Sequence, residues 1–315
     1  MPVAGRVESA ATTLLAFAGG APAPVLAIKI HRAPGAGARV SAEAEVLAEL
    51  ARIPDLAHSV PRVIFAGRIA DRWVLIQTAR DGTPMSGTGR GDTTLALAWL
   101  ERLQRKRPPR EDGQLRAKLQ RTIDALRDTF DLSPREIEYT SSIDLDRAAS
   151  FGAALEHGDF APHNLLIGPG GVGVIDWTDG SVAGVALHDA FFFTTTANVL
   201  RASTEGTYDG LLNAFRRAFL EVGPERDRTV QPLLRHAAAI GIEVSTLDAL
   251  FGIFLVRVAV AEATRIREAH QRGSWSSFAL QVAAAERLGP ERVAEAQPWI
   301  GFFKMAAAHG SVFAE

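Results

Sequence analysis

The pattern of apolar and polar positions changes character near residue 80. Before that point, short apolar runs of strand length alternate with turns rich in Gly, Pro and Asp. The runs Thr12–Ala18 and Val25–Ile30 flank a Gly-Gly-Ala-Pro turn, and Arg62–Arg68 and Arg72–Gln77 flank an Ala-Asp turn. Paired runs of this kind predict β-hairpins. The first 80 residues therefore predict a small antiparallel sheet.

One helix is predicted between the two hairpins. A Gly/Ala/Pro-rich loop over residues 32–39 precedes Ser41, which we expect to cap the helix N-terminus. Glu43 and Glu45 would then lie in its first turn. The spacing of the apolar residues predicts that its buried face carries Val46, Leu47 and Leu50.

From about residue 90 the apolar spacing becomes helical. The segment Asp81-Gly82-Thr83-Pro84 breaks the strand pattern and is a plausible linker. We therefore predict two lobes. Residues 1–80 form the N-terminal lobe, and residues 81–315 form the C-terminal lobe. The predicted helices are Thr93–Arg105, Gln114–Phe130, Ala190–Leu200, Tyr208–Val222, Val230–Ile240, Thr246–Ala269 and Phe278–Leu288.

A cluster of polar residues interrupts the helical lobe. Asp159 and Asn164 keep an Asp-x-x-x-x-Asn interval, and Asp176 ends a short apolar strand, Gly173 to Ile175. In kinases, the Asp of this interval accepts the proton of the attacking hydroxyl, and the Asn side chain binds a metal ion. A second Asp, on the following strand, also binds metal. Mg²⁺ prefers such oxygen ligands and takes only one or two carboxylates. The pattern favours metal-assisted phosphoryl transfer.

The surrounding motif is more specific. His157-Gly158-Asp159 with Asn164, followed by Ile-Asp-Trp at 175–177, resembles the aminoglycoside phosphotransferase and choline kinase family of small-molecule kinases. The resemblance implies an α+β fold of the bilobal protein-kinase type, with a small antiparallel sheet lobe carrying one helix and a larger, mainly helical lobe. It implies ATP or another nucleoside triphosphate as donor, Mg²⁺, and a hydroxylated small molecule as acceptor. Asp159 would be catalytic, and Asn164 and Asp176 would hold the metal.

A lysine on an apolar strand extends the candidate site. Lys29 lies in Val-Leu-Ala-Ile-Lys-Ile, where a charge is costly unless it is solvated or paired. The kinase pattern has a strand lysine that holds phosphates and pairs with a helix glutamate. Glu43 fits that partner because it shares a helix face with Leu47, and Glu45 is the alternative. The competing interpretation is a solvated lysine on an exposed sheet edge.

The resemblance also assigns supporting residues. The backbone carbonyl of Thr78 and the amide of Arg80 would bond the adenine edge, His157 would brace the catalytic loop, and Asp189 would order it. From the residues alone, Asp189 could equally be a carboxylate at a helix start. The phosphate-covering loop has only Gly5–Ser9 as a candidate, which lacks the repeated glycines of protein kinases.

Two competing interpretations remain open, and one further motif match is set aside. The Gly5–Ser9 loop is poor in glycine, which favours a pseudokinase-type module that binds nucleotide without turnover. The presence of Asp159, Asn164 and Asp176 together argues against that interpretation. His157 and His163 could instead form a metal site of a hydrolase. A G-x-G-x-x-G match at residues 168–173 resembles a dinucleotide fingerprint, but it leads into a strand and is better explained as a hairpin turn.

Composition narrows the function classes. The 315 residues carry a net charge of −2, so no basic field attracts nucleic acid. Cysteine is absent, which excludes disulfides and thiolate chemistry and suits a reducing compartment, so we expect a cytoplasmic protein. The N-terminal apolar run is better explained as a strand than as a signal peptide. No transmembrane segment is expected, because Arg257 interrupts the longest apolar helix. Aminoglycosides, sugars and amino alcohols all remain possible acceptors.

Overall fold

Two compact groups of elements make up the chain. The computed structural model describes residues 11–20, 22–31, 36–87, 89, 91–106, 113–200, 207–271, 293 and 297–313. The described residues of Ser9–Glu111 and Gly152–Ala197 form one group, here called the sheet unit, and those of Asp112–Phe151 and Asn198–Glu315 form the helical unit. This grouping does not test the lobe boundary expected after residue 80, which stays a prediction. The candidate loop Gly5–Ser9 lies outside the described residues.

The sheet unit begins with the two predicted hairpins, which join into one antiparallel sheet of order β1-β2-β4-β3. In this order β2 is flanked on both sides, by β1 and by β4. Ala70 turns the second hairpin with a φ of 50°. The strands are β1 (Ala11–Phe17), β2 (Pro24–His31), β3 (Val63–Ile69) and β4 (Arg72–Thr78).

Helix α1 (Gly37–Ala51) starts four residues before the predicted cap. Ala36 occupies the N-cap position without a side-chain hydrogen bond, so the expectation that Ser41 caps the helix is wrong. Val40 explains the earlier start, because it lies two turns before Leu47 on the same face and is 1% exposed. Burial of that face outweighs the missing cap. The short α2 (Pro54–Ala57) follows.

The segment that carries Asp159, Asn164 and Asp176 forms short antiparallel pairs in the same unit. Strands β7 (Leu165–Gly168) and β8 (Gly171–Val174) form a hairpin, and the glycine match runs from the end of β7 through its turn into β8, so the hairpin interpretation of that match is confirmed. The expected linker is partly a strand, since β5 (Thr83–Pro84) pairs with β7. Strands β6 (Ala154–Glu156) and β9 (Ser181–Gly184) pair separately.

Besides α1 and α2, two further helices belong to the sheet unit, and the other described helices belong to the helical unit. In the sheet unit lie α3 (Asp92–Lys106) and α7 (His188–Thr195), the latter continued by a π-helical turn at Thr196–Leu200. The helical unit contains α4 (Leu115–Thr129), α5 (Pro134–Ser142), α6 (Leu145–Ser150), α8 (Tyr208–Phe215), α9 (Pro224–Ala239), α10 (Val244–Gln271) and α11 (Pro298–His309). Helices α2, α5, α6 and α11 are additional to the predicted set, and the helix predicted at Phe278–Leu288 lies outside the described residues.

Helix α10 is longer than predicted and is the centre of the helical unit. Its residues Val244–Glu268 are long and apolar enough to cross a membrane by length and composition, with a mean hydropathy of 1.9. Two thirds of that apolar window is buried inside the protein, which is the pattern of a core helix. Around it, Phe215 stacks on Phe302 at 4.5 Å between ring centroids, and Phe251 lies against Phe219 at 5.1 Å.

Candidate active site

Lys29 is buried in the middle of the four-stranded sheet. It pairs in register with Thr13 of β1 and Leu75 of β4, and it is 5% exposed. The interpretation of Lys29 as a solvated lysine at a sheet edge is therefore wrong. A buried ammonium needs partners, because its desolvation costs several kcal/mol.

The partner supplied by helix α1 is Glu43. Its Oε1 lies 2.5 Å from Lys29 Nζ, and Glu43 is 0% exposed. Glu45 is exposed, so between the two glutamates that the sequence offered, the structure pairs Lys29 with Glu43. The cause is the position of Glu43 on the buried face of α1, one turn before Leu47.

Asp176 approaches Lys29 from the turn after β8. Its Oδ1 accepts a hydrogen bond from Lys29 Nζ at 2.8 Å and another from Thr178 Oγ1 at 2.8 Å. Asp176 adopts a left-handed backbone conformation, with φ of 62°, which aspartate tolerates better than most residues. Strand β8 ends at Val174, two residues before this position and one residue earlier than expected.

The three charged groups form one electrostatic cluster. Burial on its own would lower the pKa of Lys29, but the adjacent carboxylates of Glu43 and Asp176 raise the pKa above its ordinary value. Lys29 is therefore charged at neutral pH. One ammonium faces two carboxylates, so the cluster keeps a formal negative charge that favours a cation. Buried ion clusters add little net stability, so a function is the better explanation for their presence.

Asp159 and Asn164 meet within a tight loop. Asn164 ends a 3₁₀ turn (Pro162–Asn164), and its Nδ2 donates to the Asp159 carbonyl at 2.8 Å and to Asp159 Oδ2 at 3.1 Å. The backbone carbonyl of Asn164 accepts from the amide of Ile175 at 2.9 Å. This bond ties the loop to the residue that precedes Asp176.

The donor set fits Mg²⁺ with phosphate and water as further ligands. With Nδ2 directed at Asp159, the amide oxygen of Asn164 is its only atom able to bind a cation. Asp176 supplies one carboxylate, which matches the preference of Mg²⁺ for few protein ligands. Among the described residues, no three His, Asp or Glu side chains group closely enough to hold a metal by themselves.

His157 is fully occupied by the backbone around it. Its Nε2 donates to the Ile175 carbonyl at 2.9 Å and its Nδ1 accepts from the Asp159 amide at 3.2 Å. Burial lowers the pKa of His157, so the imidazole is neutral. Its ring packs 4.5 Å from the ring of Trp177 and 5.7 Å from that of Phe160. Both nitrogens are used, which argues against a metal site built on His157 and His163 and supports the predicted bracing role.

Asp189 binds the same loop from the first turn of α7. Its two carboxylate oxygens accept the backbone amides of His157, at 2.7 Å, and of Gly158, at 2.9 Å. The alternative of a simple helix-start carboxylate does not account for these two bonds. Gly158 has φ of +80°, and a Cβ at this position would overlap the backbone oxygen of Asp179.

The two residues predicted to bond adenine lie at the end of β4. The Thr78 amide donates to the Arg62 carbonyl at 2.9 Å, and the Thr78 hydroxyl accepts from the Arg62 amide at 2.9 Å. Arg80 follows two residues later, and its buried Nε has no hydrogen-bond partner within the described ranges. Their adenine contacts stay a prediction.

Sequence reasoning missed Thr178. Its hydroxyl lies within hydrogen-bonding distance of Lys29, Glu43 and Asp176. The available signal was weak: a hydroxyl two residues after a carboxylate in a turn, where such side chains often bond locally.

Comparison with known proteins identifies the family. The family model described as the phosphotransferase enzyme family matches residues 17–229, which is more than half of the chain. No curated protein matches the sequence significantly. Among solved structures, the GDP complex of wild-type aminoglycoside 2'-phosphotransferase-IIIa is 11% identical, with a TM-score of 0.52 over 91% of this chain and 87% of that chain.

Two further structures are similar. Choline kinase from Cryptosporidium parvum Iowa II is 12% identical over 96% of this chain and 88% of its own, with a TM-score of 0.45. Aminoglycoside phosphotransferase APH(3'')-Id from Streptomyces rimosus ATCC10970, solved with ADP and streptomycin, is 16% identical over 74% and 87%, with a TM-score of 0.48. The predicted α+β, protein-kinase-like fold is confirmed. The chain belongs to the phosphotransferase enzyme family, as its resemblance to aminoglycoside phosphotransferases and choline kinases predicted.

Proposed function

We propose that this protein transfers the γ-phosphoryl group of ATP to a hydroxyl of a small molecule, with Mg²⁺ as the metal. The observation that carries the proposal is the hydrogen-bonded cluster of Lys29, Glu43 and Asp176. It joins a strand lysine, a helix glutamate and a post-hairpin aspartate, as phosphoryl transfer on this fold requires. The buried lysine and the negative balance of the cluster both suit a site for metal-bound phosphates.

The proposed roles follow from the chemistry of each group. Lys29 binds the α- and β-phosphates, and Glu43 holds its ammonium in place. Asn164 and Asp176 hold Mg²⁺, which would neutralise charge on the β- and γ-phosphate oxygens. Asp159 faces the acceptor hydroxyl and positions it or takes its proton. Such catalysis consists of positioning and electrostatic stabilisation.

The nucleotide and the acceptor are proposed by class. The Thr78 carbonyl and the Arg80 amide would bond the edge of the base, with ATP as the favoured donor and GTP as the competing one. The acceptor class comprises aminoglycosides, sugars and amino alcohols. Acidic side chains that would suit an aminoglycoside are scattered along the sequence at Asp179, Glu205 and Glu262, so they do not favour one class.

The direct test is phosphate transfer from labelled ATP to a panel of hydroxylated acceptors. We expect at least one acceptor to be labelled in a Mg²⁺-dependent reaction.

We also expect Mg-ATP to raise the melting temperature, since a ligand that binds the folded state stabilises it, whereas NAD should not. Stabilisation by Mg-ATP without turnover across the panel would support the pseudokinase-type module. A shift with NAD and none with ATP would contradict both.

Lys29→Met tests the lysine. The substitution keeps the apolar stem and removes the ammonium, so we expect the protein to fold, although the loss of a buried charge partner should lower its stability. The KM for ATP should rise and kcat/KM should fall by about tenfold or more, because a charge-assisted contact to phosphate is lost. Lys304→Met is the matched control, since Lys304 is an exposed lysine of α11. Steady-state kinetics equal to wild type for Lys29→Met would contradict the assignment.

A further inference from the structure

Thr178 is an uncharged side chain inside the charged cluster. It is half-buried, and its Oγ1 lies 3.0 Å from Lys29 Nζ, 2.8 Å from Asp176 Oδ1 and 3.2 Å from Glu43 Oε2. The same hydroxyl therefore reaches all three ionised groups that the proposed function uses.

Counting donors and acceptors shows how the hydroxyl is used. An ammonium has three protons, and Lys29 has three acceptors, one each from Glu43, Asp176 and Thr178. A hydroxyl has one proton and two lone pairs. Because Thr178 accepts from Lys29, its own proton can go to one carboxylate, and the shorter distance selects Asp176.

We infer that Thr178 is a positioning residue that fixes the Asp176 carboxylate against Lys29. The hydroxyl and the ammonium both donate to Oδ1 of Asp176, so the orientation of the whole carboxylate is set by two bonds instead of one. The left-handed conformation of Asp176 brings Thr178 back toward it in the same turn. Networks of this kind hold a side chain more firmly than one contact does.

The consequence for the reaction rests on the proposed function. If Asp176 holds the metal, a carboxylate that rotates freely would bind Mg²⁺ more weakly, whereas the phosphoryl-transfer step itself would still use Asp159. Loss of the Thr178 hydroxyl should therefore raise the Mg²⁺ concentration needed for half-maximal turnover. At saturating Mg²⁺, kcat should be largely restored. A hydroxyl that only stabilised the fold would leave the Mg²⁺ dependence unchanged.

The test compares Thr178→Val, which removes the hydroxyl and keeps the branched shape, with Thr178→Ser, which keeps the hydroxyl. We expect Thr178→Val to raise the Mg²⁺ concentration for half-maximal ATP turnover about tenfold, the equivalent of one hydrogen bond to a charged group. Thr178→Ser should restore most of that loss. Thr122→Val is the matched control, because the Thr122 hydroxyl donates to the Lys118 carbonyl of its own helix, α4, away from the charged cluster in sequence.

Two outcomes would overturn the inference in an active protein: an unchanged Mg²⁺ requirement in Thr178→Val, or a failure of Thr178→Ser to recover the wild-type Mg²⁺ requirement.

If the wild-type protein shows no turnover or binding of Mg-ATP, the proposed function fails, and urea unfolding then tests the contact by itself. Thr178→Val and Asp176→Gly, whose glycine accepts the left-handed backbone, should be non-additive in a double-mutant cycle. Additive effects would show that the two side chains do not act together.

Discussion

At the scale of single residues, the loop that starts at His157 and ends at Asn164 is held by backbone amides that have specific acceptors. His157, Gly158 and Asp159 each donate a backbone hydrogen bond, the first two to Asp189 and the third to the His157 ring. Gly158 is required for a separate reason, since its φ of +80° and its close approach to Asp179 both exclude a side chain.

Gly158→Ala is therefore expected to be costly. The added methyl group meets backbone, which cannot move as a flexible side chain can, and the left-handed conformation adds strain. We expect a loss of about 2 kcal/mol or more in the free energy of unfolding, together with a fall in activity. Gly170→Ala in the hairpin turn is the control, because a Cβ there meets nothing within 4 Å. Urea unfolding of both variants measures the difference, and equal stability would contradict the account.

At the scale of elements, the site is assembled from side chains of several separate helices and turns of the sheet unit. The start of α7 supplies Asp189, the turn after β8 supplies Asp176, and the buried face of α1 supplies Glu43. The sheet strands could be predicted from sequence because their apolar runs and turns are local signals. The start of α1 could not, because it depends on the burial of Val40 by the rest of the unit.

Asp189→Asn tests the link between α7 and the loop that carries His157 and Gly158. A neutral amide offers one oxygen in place of two, so one of the amides of His157 and Gly158 loses its acceptor. We expect a loss of about 1–3 kcal/mol in unfolding free energy and a lower kcat. Asp209→Asn is the matched control, because Asp209 is an exposed carboxylate in the first turn of α8. If both variants behaved alike, Asp189 would be only a helix-start carboxylate.

At the scale of the whole molecule, a buried histidine far along the chain makes stability depend on pH. His236 of α9 is 3% exposed, and neither ring nitrogen has a partner among the described residues. Burial lowers its pKa from 6.5 to about 4. Between these values the unfolded chain binds a proton that the folded chain does not, so stability falls as the pH is lowered.

The free energy of unfolding is expected to fall by at most about 3 kcal/mol between pH 7 and pH 4 because of His236. His236→Phe, which keeps an aromatic ring of similar bulk without a titrating group, should make the decline between pH 6.5 and pH 4 shallower, whereas His309→Phe at an exposed position should not. Unfolding midpoints measured across this range check the prediction. An identical pH dependence in His236→Phe and wild type would show that His236 does not control it.

The candidate site was more predictable from sequence than the helical unit. Asp159, Asn164 and Asp176 are close together in sequence, and their spacing carries the chemistry. Helix periodicity favoured Glu43 over Glu45 as the partner of Lys29, but it left both open until the structure showed the pairing with Glu43. Thr178 could not be predicted in the same way, because its role depends on the left-handed turn at Asp176 and on the approach of β2 and α1. Helix α11 was missed because its apolar residues lack the spacing of an amphipathic helix.

The central claim is that Asp159 faces the acceptor hydroxyl, while Asp176 holds Mg²⁺ against the phosphates. Calorimetric titration of ATP, with and without Mg²⁺, into Asp159→Asn and Asp176→Asn tests it most directly. The account predicts that Asp159→Asn binds Mg-ATP nearly as wild type does and loses kcat steeply. Asp176→Asn should lose the Mg²⁺-dependent part of binding as well, because a neutral amide is a weaker ligand for a hard cation. The reverse pattern would exchange the two roles, and full activity in both variants would contradict the site.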